Sequence, residues 1–585
     1  MLRSKHLLLL MYLFILSVHF LYYPKWNKTG TESTISWDVS GYYMFLPAIF
    51  IYDDLKNCSF KDSIIKKYRL IPNFNQVAFK HEGSGNYVMK YSIGQALQYA
   101  PFFFIAHVWA NNSEKYDADG FSFPYQFMIS IFSLFLSFIG LYYLRKILLL
   151  YFDDLIVGLG LLALVLGTNY LNYSAIDGAM THNNLFTIYC LIIYFSIKFY
   201  RNPGILNSII IGLLIGLAAL TRPTEILALV IPLLWGLDIT KTKAFKKRLM
   251  FLKNNIRSVL ISVFCCLAVG SVQIIYWKYI SGQWIVYSYQ EQGFSWFKPH
   301  LIEGLFSFGT GWLPYTPMML FSLIGIYYLF KIHKKIFLSC SIFIFLFIYI
   351  AFAWDIYWYG GSLGQRTMVQ AYPILLFPLS CFFDQVLKQK YKFILLPIFI
   401  SFCYINLWFT HQAHKGGLLP VGQVTGAYYW KTLGTFTKVR EDLKLLDTDE
   451  LFEGKTSGIR TIYSGTDPIY LNNSTLLSNI IKIKIDDDFD WIRATANFKT
   501  KKVEKVKWNM TKFIIRFKYN DETVKSRKIL IQRHIIEINK ERNIFIDVKK
   551  PKKKFDRIEV SFLKSGRSVD LDIKNLKVEL FNEGE

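Results

Sequence analysis

Cysteine is scarce in this chain, and its positions follow no pattern. Only seven cysteines occur among 585 residues. Six of them fall inside long apolar runs, and Cys58 alone lies in a long connection. No pair has the CxxC spacing, so the sequence contains neither a disulfide framework nor a cysteine metal site.

Acidic residues are also few, and the excess of basic residues has a simple explanation. There are 42 Asp and Glu against 67 Lys and Arg, a formal net charge of +25. The basic residues divide between short connections and a basic C-terminal part. This distribution is typical of membrane orientation signals and solvated surfaces, so we expect no nucleic acid partner.

Charged side chains are missing from the middle of every long apolar run. Ion-coupled transporters and pumps generally need such groups along the path of the ion. The absence argues against that class of membrane protein. The polar residues that could bind a ligand or take part in a reaction lie instead in the connections between the apolar runs.

Long apolar runs dominate the first 411 residues of a chain that is 53% hydrophobic and 18% aromatic. A helix needs about 20 residues to cross a hydrocarbon core of roughly 30 Å. The sequence therefore predicts a polytopic α-helical membrane protein with about eleven transmembrane helices, and 94–110 as a weaker twelfth candidate. The eleven predicted spans are 6–22, 123–144, 155–171, 183–199, 204–220, 224–238, 258–277, 312–330, 336–353, 369–387 and 393–410.

The first run resembles a signal peptide, because Arg3 and Lys5 precede an apolar segment. No small-x-small cleavage site follows before Tyr22, Tyr23 and Pro24. We expect a retained signal anchor.

Basic residues cluster on alternate connections, which predicts the topology because such residues resist translocation. The alternation holds only if the segment 94–110 lies at the membrane interface and does not cross the membrane. Pro101 within this segment also favours an interfacial helix. The N-terminus is then cytoplasmic, residues 23–122 form a large external connection, and everything after residue 411 is external. The basic clusters are Arg3 and Lys5; Arg145 and Lys146; Lys198 and Arg201; Lys241, Lys243, Lys246, Lys247, Arg248 and Lys253; Lys331, Lys334 and Lys335; and Lys388, Lys390 and Lys392.

An isolated acid stands out in the first external connection. Asp38 lies between Trp37 and an aromatic run, in the stretch ISWDVSGYYMFLPAIFIYDDL. Two apolar segments that contain prolines, 41–52 and 94–110, suit interfacial helices that would wall a cleft. We interpret Asp38 as part of an active site at the membrane surface.

Three further external connections supply candidate site residues. The connection 172–182 carries Asp177 and His182. Arg222 and Glu225 flank the turn at Pro223, either as an interfacial ion pair or with the planar guanidinium free to bind phosphate oxygens. The connection 279–311 is aromatic, as expected of residues at a membrane boundary, and contains Glu291 and His300.

The last external connection of the membrane part reads WDIYWYGGSLGQRTMVQAYP. Trp358 and Tyr359 precede Gly360 and Gly361, and glycines let a backbone approach a ligand closely. Arg366 then comes at a helix start, where backbone N–H groups favour anions. This segment is a second candidate for binding phosphate.

The C-terminal part has a different pattern. Residues 412–449 are of mixed composition and predict a linker. Beyond residue 450, short alternating stretches separated by polar turns predict an external all-β sandwich. The clearest stretches are Lys512–Tyr519, Asn543–Val548, Arg557–Leu563 and Leu576–Phe581.

Residues 1–411 resemble the GT-C membrane glycosyltransferases, particularly the protein O-mannosyltransferase and lipid A aminoarabinose transferase branch. The resemblance rests on the topology, with a single acid after the first span, and on WDVSGYY, KYSIGQALQYAPFF, TRPTE and WYGGSLGQR. It implies transfer of a sugar, with inversion, from a polyprenyl-phosphate carrier to a lipid, glycan or protein acceptor. This would be a cell-envelope reaction at the external, periplasmic face of a bacterial inner membrane.

The resemblance also implies roles for individual residues. Asp38 would act as general base toward the acceptor hydroxyl, and Arg222 and Arg366 would stabilise the departing phosphate. One departure concerns Asp38, since the mannosyltransferases carry an adjacent Asp-Glu pair and this chain has Val39 there. No metal is required by the sequence, and a divalent ion bridging Asp38 and the phosphate is left open.

Two other functions are compatible with a membrane chain of this kind. A flippase or exporter of lipid-linked glycans would need charged residues within the spans and repeated halves, and neither is evident. An oligosaccharide ligase or polymerase would share the phosphate-binding residues and differ in its acceptor cleft. A single sequence does not separate this last function from transfer of one hexose or pentose.

Overall fold

The computed structural model describes residues 3–584, except 473, 486, 487, 503, 505, 506, 536 and 566–568. The chain forms two compact units, Met1–Gly417 and Leu418–Glu585. The first unit is helical and the second consists mainly of β-strands. Residues 418–449, assigned to a linker by composition, thus belong to the second unit.

Each of the eleven predicted spans overlaps a helix of the first unit, because continuous apolar sequence satisfies its backbone groups within a helix when water is absent. The corresponding helices are Ser4–Ser17, Phe123–Leu148, Asp154–Gly167, Thr181–Arg201, Ile205–Thr221, Val230–Leu234, Ile256–Ser281, Met319–Ile332, Lys334–Ala353, Tyr372–Leu387 and Lys392–His411. Several are extended by short 3-10 or π turns: Val18–Tyr22, Pro223–Leu229, Arg366–Ala371 and Gln412–Gly416.

Six helical segments among the described residues are long and apolar enough to cross a membrane. They are Ser4–Asn27, Phe123–Leu148, Ile256–Ser281, Lys334–Ala353, Arg366–Leu387 and Lys392–Gly416. Shorter apolar helices occupy Asp154–Gly167, Ile205–Thr221, Pro223–Leu234 and Met319–Ile332. A helical body rich in candidate spans is therefore present, and the full count of eleven crossings stays a prediction.

Connections predicted to be cytoplasmic lie close to one another. Arg145 donates from Nε to the Ser4 hydroxyl over 2.8 Å, and the Ser4 amide donates to Asp154 over 2.7 Å. The Lys146 ammonium lies 5.0 Å from the ring centre of Tyr194. Lys198 lies 5.1 Å from the same ring centre, so Lys146 and Lys198, from two connections predicted to be cytoplasmic, meet at one end of the helical unit.

Small residues allow two of the helices to pack at close range. Gly212 and Gly216 of Ile205–Thr221 face the backbone of Ile256–Ser281, and a Cβ on Gly216 would lie 2.8 Å from the Cys266 carbonyl oxygen. This spacing of glycines is typical of close helix pairs in membranes. The packing fixes the helix that ends immediately before Arg222.

The first long connection folds around a core of its own. Four helices, Trp37–Tyr43, Phe45–Phe50, Lys61–Tyr68 and Gly94–Asn111, surround buried rings such as Tyr43, Tyr99 and Phe103. A short antiparallel hairpin pairs Ala78–Lys80 with Tyr87–Met89. The remaining elements of this unit are Lys25–Asn27, Gly30–Glu32, Phe74–Gln76, Asn172–Ile176, Ala244–Asn254, Leu301–Phe306 and Trp312–Tyr315.

The second unit has two antiparallel sheets, as the alternating pattern predicted. One sheet contains Ile481–Lys484, Arg557–Leu563, Lys512–Tyr519 and Glu522–Leu530 in that order. The other contains Thr456–Gly465, Leu571–Glu583, Trp491–Thr500 and Arg542–Lys549, with Ile469–Leu471 also paired to Leu571–Glu583. Both sheets contribute apolar side chains to one core, in which the rings of Phe498 and Phe513 are 5.8 Å apart.

Residues 418–455, which precede the strand Thr456–Gly465, belong to the second unit and pack against it. For this reason they do not form a separate linker. They include the helix Gly426–Thr432 and the 3-10 turn Glu441–Leu446. Asp447 and Arg533 form an ion pair of 3.1 Å whose side chains are 4% and 9% exposed. Composition alone does not reveal such a contact, because it depends on a partner 86 residues away.

Candidate active site

One cavity of about 340 Å³ in the helical unit is lined by residues from all five connections predicted to be external. Pockets that bind small molecules usually have volumes of about 300–1,000 Å³. The polar lining includes Asp38, Lys90, His182, Arg222, Glu225 and Arg366, and the aromatic lining includes Tyr42, Tyr91, Tyr287, Tyr289, Phe294, Trp354 and Tyr359. Segments separated by more than 300 residues therefore meet around one space.

Asp38 lies in this cavity with both carboxylate oxygens occupied. The Tyr91 hydroxyl donates to Oδ1 over 2.7 Å, and Arg366 donates from Nη2 to Oδ2 over 2.5 Å. Burial raises the pKa of Asp38, but the charge of Arg366 and these hydrogen bonds outweigh it and hold the pKa below its ordinary value. Asp38 is thus ionised at neutral pH, with its side chain 28% exposed.

The local backbone explains how Asp38 reaches the cavity. Trp37, the residue before it, has a φ of +48°, a left-handed conformation that is uncommon for a bulky residue. The helix Trp37–Tyr43 then places Asp38 in its first turn. Gly41 in the same helix faces the Tyr91 ring so closely that a Cβ would overlap it. A glycine there lets Tyr91 approach Asp38.

Arg366 is positioned by the glycine-rich segment that precedes it. Gly360, Gly361 and Gly364 all have positive φ, and Arg366 begins the 3-10 turn Arg366–Ala371. Its Nη2 binds Asp38, whereas its buried Nε has no hydrogen-bond partner among the described residues. The guanidinium therefore has donor capacity left over while it neutralises Asp38.

Arg222 follows directly after the helix Ile205–Thr221 and also faces the cavity. Its guanidinium carbon lies 5.6 Å from the ring centre of Tyr359. Its Nη1 is buried, and no residue in the part of the chain that the structure describes accepts a hydrogen bond from it. Because unsatisfied buried donors are rare in native proteins, such a group points to a ligand or water that would accept a hydrogen bond from it.

Glu225 does not pair with Arg222 in the described part of the chain. Its carboxylate accepts hydrogen bonds from the Tyr189 hydroxyl over 2.6 Å and from Gln370 Nε2 over 2.5 Å. Gln370 Oε1 lies 2.9 Å from Nδ1 of His182. Glu225 and His182 thus belong to one buried network, which leaves Arg222 available to the cavity.

Several candidate residues from the sequence do not line the cavity. Asp177 is ion-paired with Lys25 and accepts a hydrogen bond from Asn172. Glu291 is exposed, and His300 stacks on Tyr357 with ring centres 4.8 Å apart. Trp358 and Gly361 also lie outside the lining, while the neighbouring Tyr359 and Gly360 contribute to it.

Other lining residues were not singled out from the sequence. Tyr91 and Lys90 belong to the KYSIGQ motif, and Tyr42 belongs to WDVSGYY, so the motifs that carry the family resemblance already contained this signal. The rings of Tyr42 and Tyr91 lie 4.4 Å apart. Nothing in the sequence separates Tyr289 from the other aromatic residues of the connection 279–311, so it could not be predicted to line the cavity.

The surroundings of Asp38 do not suit a divalent metal. Among the described residues, no group of three or more His, Cys, Asp and Glu side chains is arranged to hold one. The neighbours of Asp38 in the cavity are instead the cations Arg366 and Lys90, which would repel a metal ion. The charge around Asp38 therefore suits an anionic ligand better than a divalent cation.

A close backbone contact sets the position of Arg222 and can be tested by mutation. A Cβ on Gly94 would lie 2.5 Å from the Thr221 backbone nitrogen. We expect Gly94→Ala to destabilise the protein by about 1–3 kcal/mol, because overpacking forces the two backbones apart. The measurement is the apparent melting temperature in detergent.

Gly270 provides the matched control for this prediction. It lies in the helix Ile256–Ser281, where an added Cβ would meet no atom of the described residues within 4 Å. Alanine favours helix over glycine by about 0.5–1 kcal/mol, so Gly270→Ala should leave the melting temperature unchanged or raise it. An equal shift in both variants would contradict the proposed role of Gly94.

Comparisons with known proteins identify no family. No family model matches the chain, and no curated protein matches it. Among solved structures, the crystal structure of the Archaeoglobus fulgidus oligosaccharyltransferase in the apo form is similar, with a TM-score of 0.44 and 11% sequence identity. The matched region covers 74% of this chain and 58% of that protein. A likeness of this degree assigns neither an activity nor a residue.

Proposed function

We propose that this chain is a membrane glycosyltransferase of the GT-C type. It would move a single sugar, a hexose or pentose, from a polyprenyl-phosphate carrier to an acceptor hydroxyl. The observation that carries the proposal is the grouping of Asp38, Arg222 and Arg366 in one cavity. A carboxylate that shares one cavity with two arginines suits a reaction that removes a proton and releases a phosphate.

The arginines account for the leaving group. When the bond from C1 of the sugar to the phosphate oxygen breaks, the electron pair stays on the phosphate, which gains a negative charge. Within the described residues, Nη1 of Arg222 and Nε of Arg366 are buried donors without a hydrogen-bond partner. Donors already aimed at developing charge stabilise a transition state without reorganisation.

Asp38 accounts for the proton. As the acceptor oxygen bonds to C1 on the face opposite the phosphate, its proton passes to the carboxylate, and the configuration at C1 inverts. In the unliganded chain, Arg366 lowers the pKa of Asp38 and makes it a weak base. A donor phosphate would compete for Arg366 and so raise the pKa of Asp38, which couples donor binding to activation of the base.

The rest of the lining suits a lipid-linked sugar. The rings of Tyr42, Tyr91 and Tyr289 offer faces for a sugar to stack on. Phe347 and Ile350 from the helix Lys334–Ala353 line the same cavity and offer apolar surface to a prenyl chain. The lining therefore combines a polar part for a sugar phosphate with an apolar part for its carrier.

The proposed setting follows from the charge distribution of the connections. We place the cavity and the β unit at the external face of a bacterial inner membrane, with the N-terminus in the cytoplasm. The acceptor would be a lipid, glycan or protein of the cell envelope. The β unit would then lie on the side where acceptors are found.

The proposal is tested with purified wild-type protein in detergent or liposomes. Labelled sugars on polyprenyl phosphate are supplied in one arm, and oligosaccharides on polyprenyl diphosphate in the other, each with envelope extract as acceptor. We expect label to leave only the monophosphate donors. Turnover of the diphosphate donors alone would favour an oligosaccharide ligase, and movement of intact carrier between leaflets without cleavage would favour a flippase.

A further inference from the structure

A buried hydrogen-bond chain determines which nitrogen of His182 carries its proton. Gln370 Nε2 donates to the Glu225 carboxylate over 2.5 Å, so the other end of that amide, Oε1, faces His182. An amide oxygen can only accept a hydrogen bond. The His182 Nδ1, 2.9 Å away, must therefore carry a proton and donate it.

The second ring nitrogen of His182 is then an acceptor. The residue is only 1% exposed, and burial beside two guanidinium groups opposes a second proton on the ring. A neutral imidazole protonated at Nδ1 presents a lone pair at Nε2. His182 lines the cavity, and the hydrogen bonds of the described residues include none to Nε2.

We infer that His182 binds the donor sugar by accepting a hydrogen bond from one of its hydroxyl groups at Nε2. This inference rests on the proposed function and adds a residue that selects the donor. Arg222, Arg366 and Lys90 can only donate when charged, and the carboxylates of Asp38 and Glu225 already accept hydrogen bonds from protein groups. A fixed acceptor would favour a sugar with a hydroxyl at the matching position.

The location of His182 favours the donor sugar over the acceptor molecule. C1 of the donor sugar is bonded directly to the phosphate, so the ring must lie next to whatever binds that phosphate. His182 is connected through Gln370 and Glu225 to the turn that carries Arg222, one of the two proposed phosphate-binding residues. His182 therefore lies next to the region that the first sugar ring would occupy.

Two substitutions separate the two nitrogens of His182. In His182→Asn, the side-chain amide can still donate to Gln370 but does not extend to the position of Nε2. In His182→Gln, the longer amide can place an oxygen near Nε2 but loses the contact with Gln370. We expect His182→Asn to lower kcat/KM for the donor by about 10- to 100-fold, and His182→Gln to recover part of that loss.

Deoxy donors distinguish sugar binding from a structural role. Polyprenyl-phosphate donors that each lack one hydroxyl of the transferred sugar are compared in wild type and His182→Asn. With one of these analogues, the two proteins should have nearly equal kcat/KM, because the hydroxyl that His182 binds is gone. The same ratio with every analogue, or full activity of His182→Asn, would overturn the inference. If wild type transfers no sugar at all, the proposed function fails and this inference fails with it.

Discussion

Replacing Asp38 by Asn is expected to lower the rate of sugar transfer by about 10²- to 10⁴-fold, the range that a positioned general base contributes. The amide keeps the shape of the side chain but cannot take the proton of the acceptor hydroxyl. The measurement is initial transfer rate at saturating donor, with matched amounts of folded protein. Donor binding should survive, since the substitution leaves Arg366 free for the phosphate.

Asp177→Asn is the control for this experiment. Asp177 is also a half-buried carboxylate with a cationic partner, Lys25, but it does not line the cavity. We expect its transfer rate to stay within about threefold of wild type, because only an ion pair away from the chemistry is lost. Loss of activity in both variants, or in neither, would reject Asp38 as the base.

The contact between Asp38 and Arg366 should affect how both the stability of the protein and its rate of sugar transfer depend on pH. Because the pKa of Asp38 lies below its ordinary value of 3.8, the carboxylate is ionised in the free protein throughout pH 5–8. The stability that the contact provides is present above that ordinary value and is lost as the pH falls through the lowered pKa. An acidic limb that appears in kcat but not in kcat/KM is expected if bound phosphate displaces Arg366.

Replacing Arg222 by Met is expected to lower the transfer rate by about 10²- to 10³-fold, the typical cost of removing one donor to a developing anion. The loss should be smaller for Arg222→Lys, which keeps the charge but lacks the planar pair of donors. Both rates are measured at saturating donor, so that weaker binding is not mistaken for slower chemistry.

Arg248→Met is the matched control for Arg222. Arg248 likewise lies over an aromatic ring, that of Tyr200 at 3.9 Å, but it belongs to a connection predicted to be cytoplasmic. Its removal costs a cation–π contact and a hydrogen bond to the Trp235 carbonyl, with no effect expected on transfer. Equal activity of Arg222→Met and wild type would show that Arg222 does not stabilise the leaving phosphate.

Much of the helical unit could be predicted from the sequence, because a long apolar run leaves the backbone few alternatives to helix. The strands Lys512–Tyr519 and Arg557–Leu563 were predicted with their observed bounds, since strict alternation marks a half-buried strand. The contact of Asp447 with Arg533 could not be predicted, because charge pairing across the chain leaves no local pattern.

For the candidate site as well, the sequence predicted some features and left others undetermined. Asp38, Arg222 and Arg366 stood out because isolated charges in apolar surroundings are unusual, and glycines before Arg366 marked a tight backbone. The distances between these three residues could not be predicted from the sequence. Nor could the sequence decide whether Arg222 forms an ion pair with Glu225 or faces the cavity without one. That choice depends on Tyr189 and Gln370, whose hydrogen bonds satisfy Glu225 from two other segments.

The sequence by itself determined the apolar helices, the β unit and the set of connections that carry polar residues, because these follow from local composition and periodicity. Only the tertiary structure decided that five connections share one cavity, that Arg366 neutralises Asp38, and that His182 presents a lone pair. Each of these depends on hydrogen bonds between residues far apart in the chain. Such bonds are selected by packing, which no local pattern encodes.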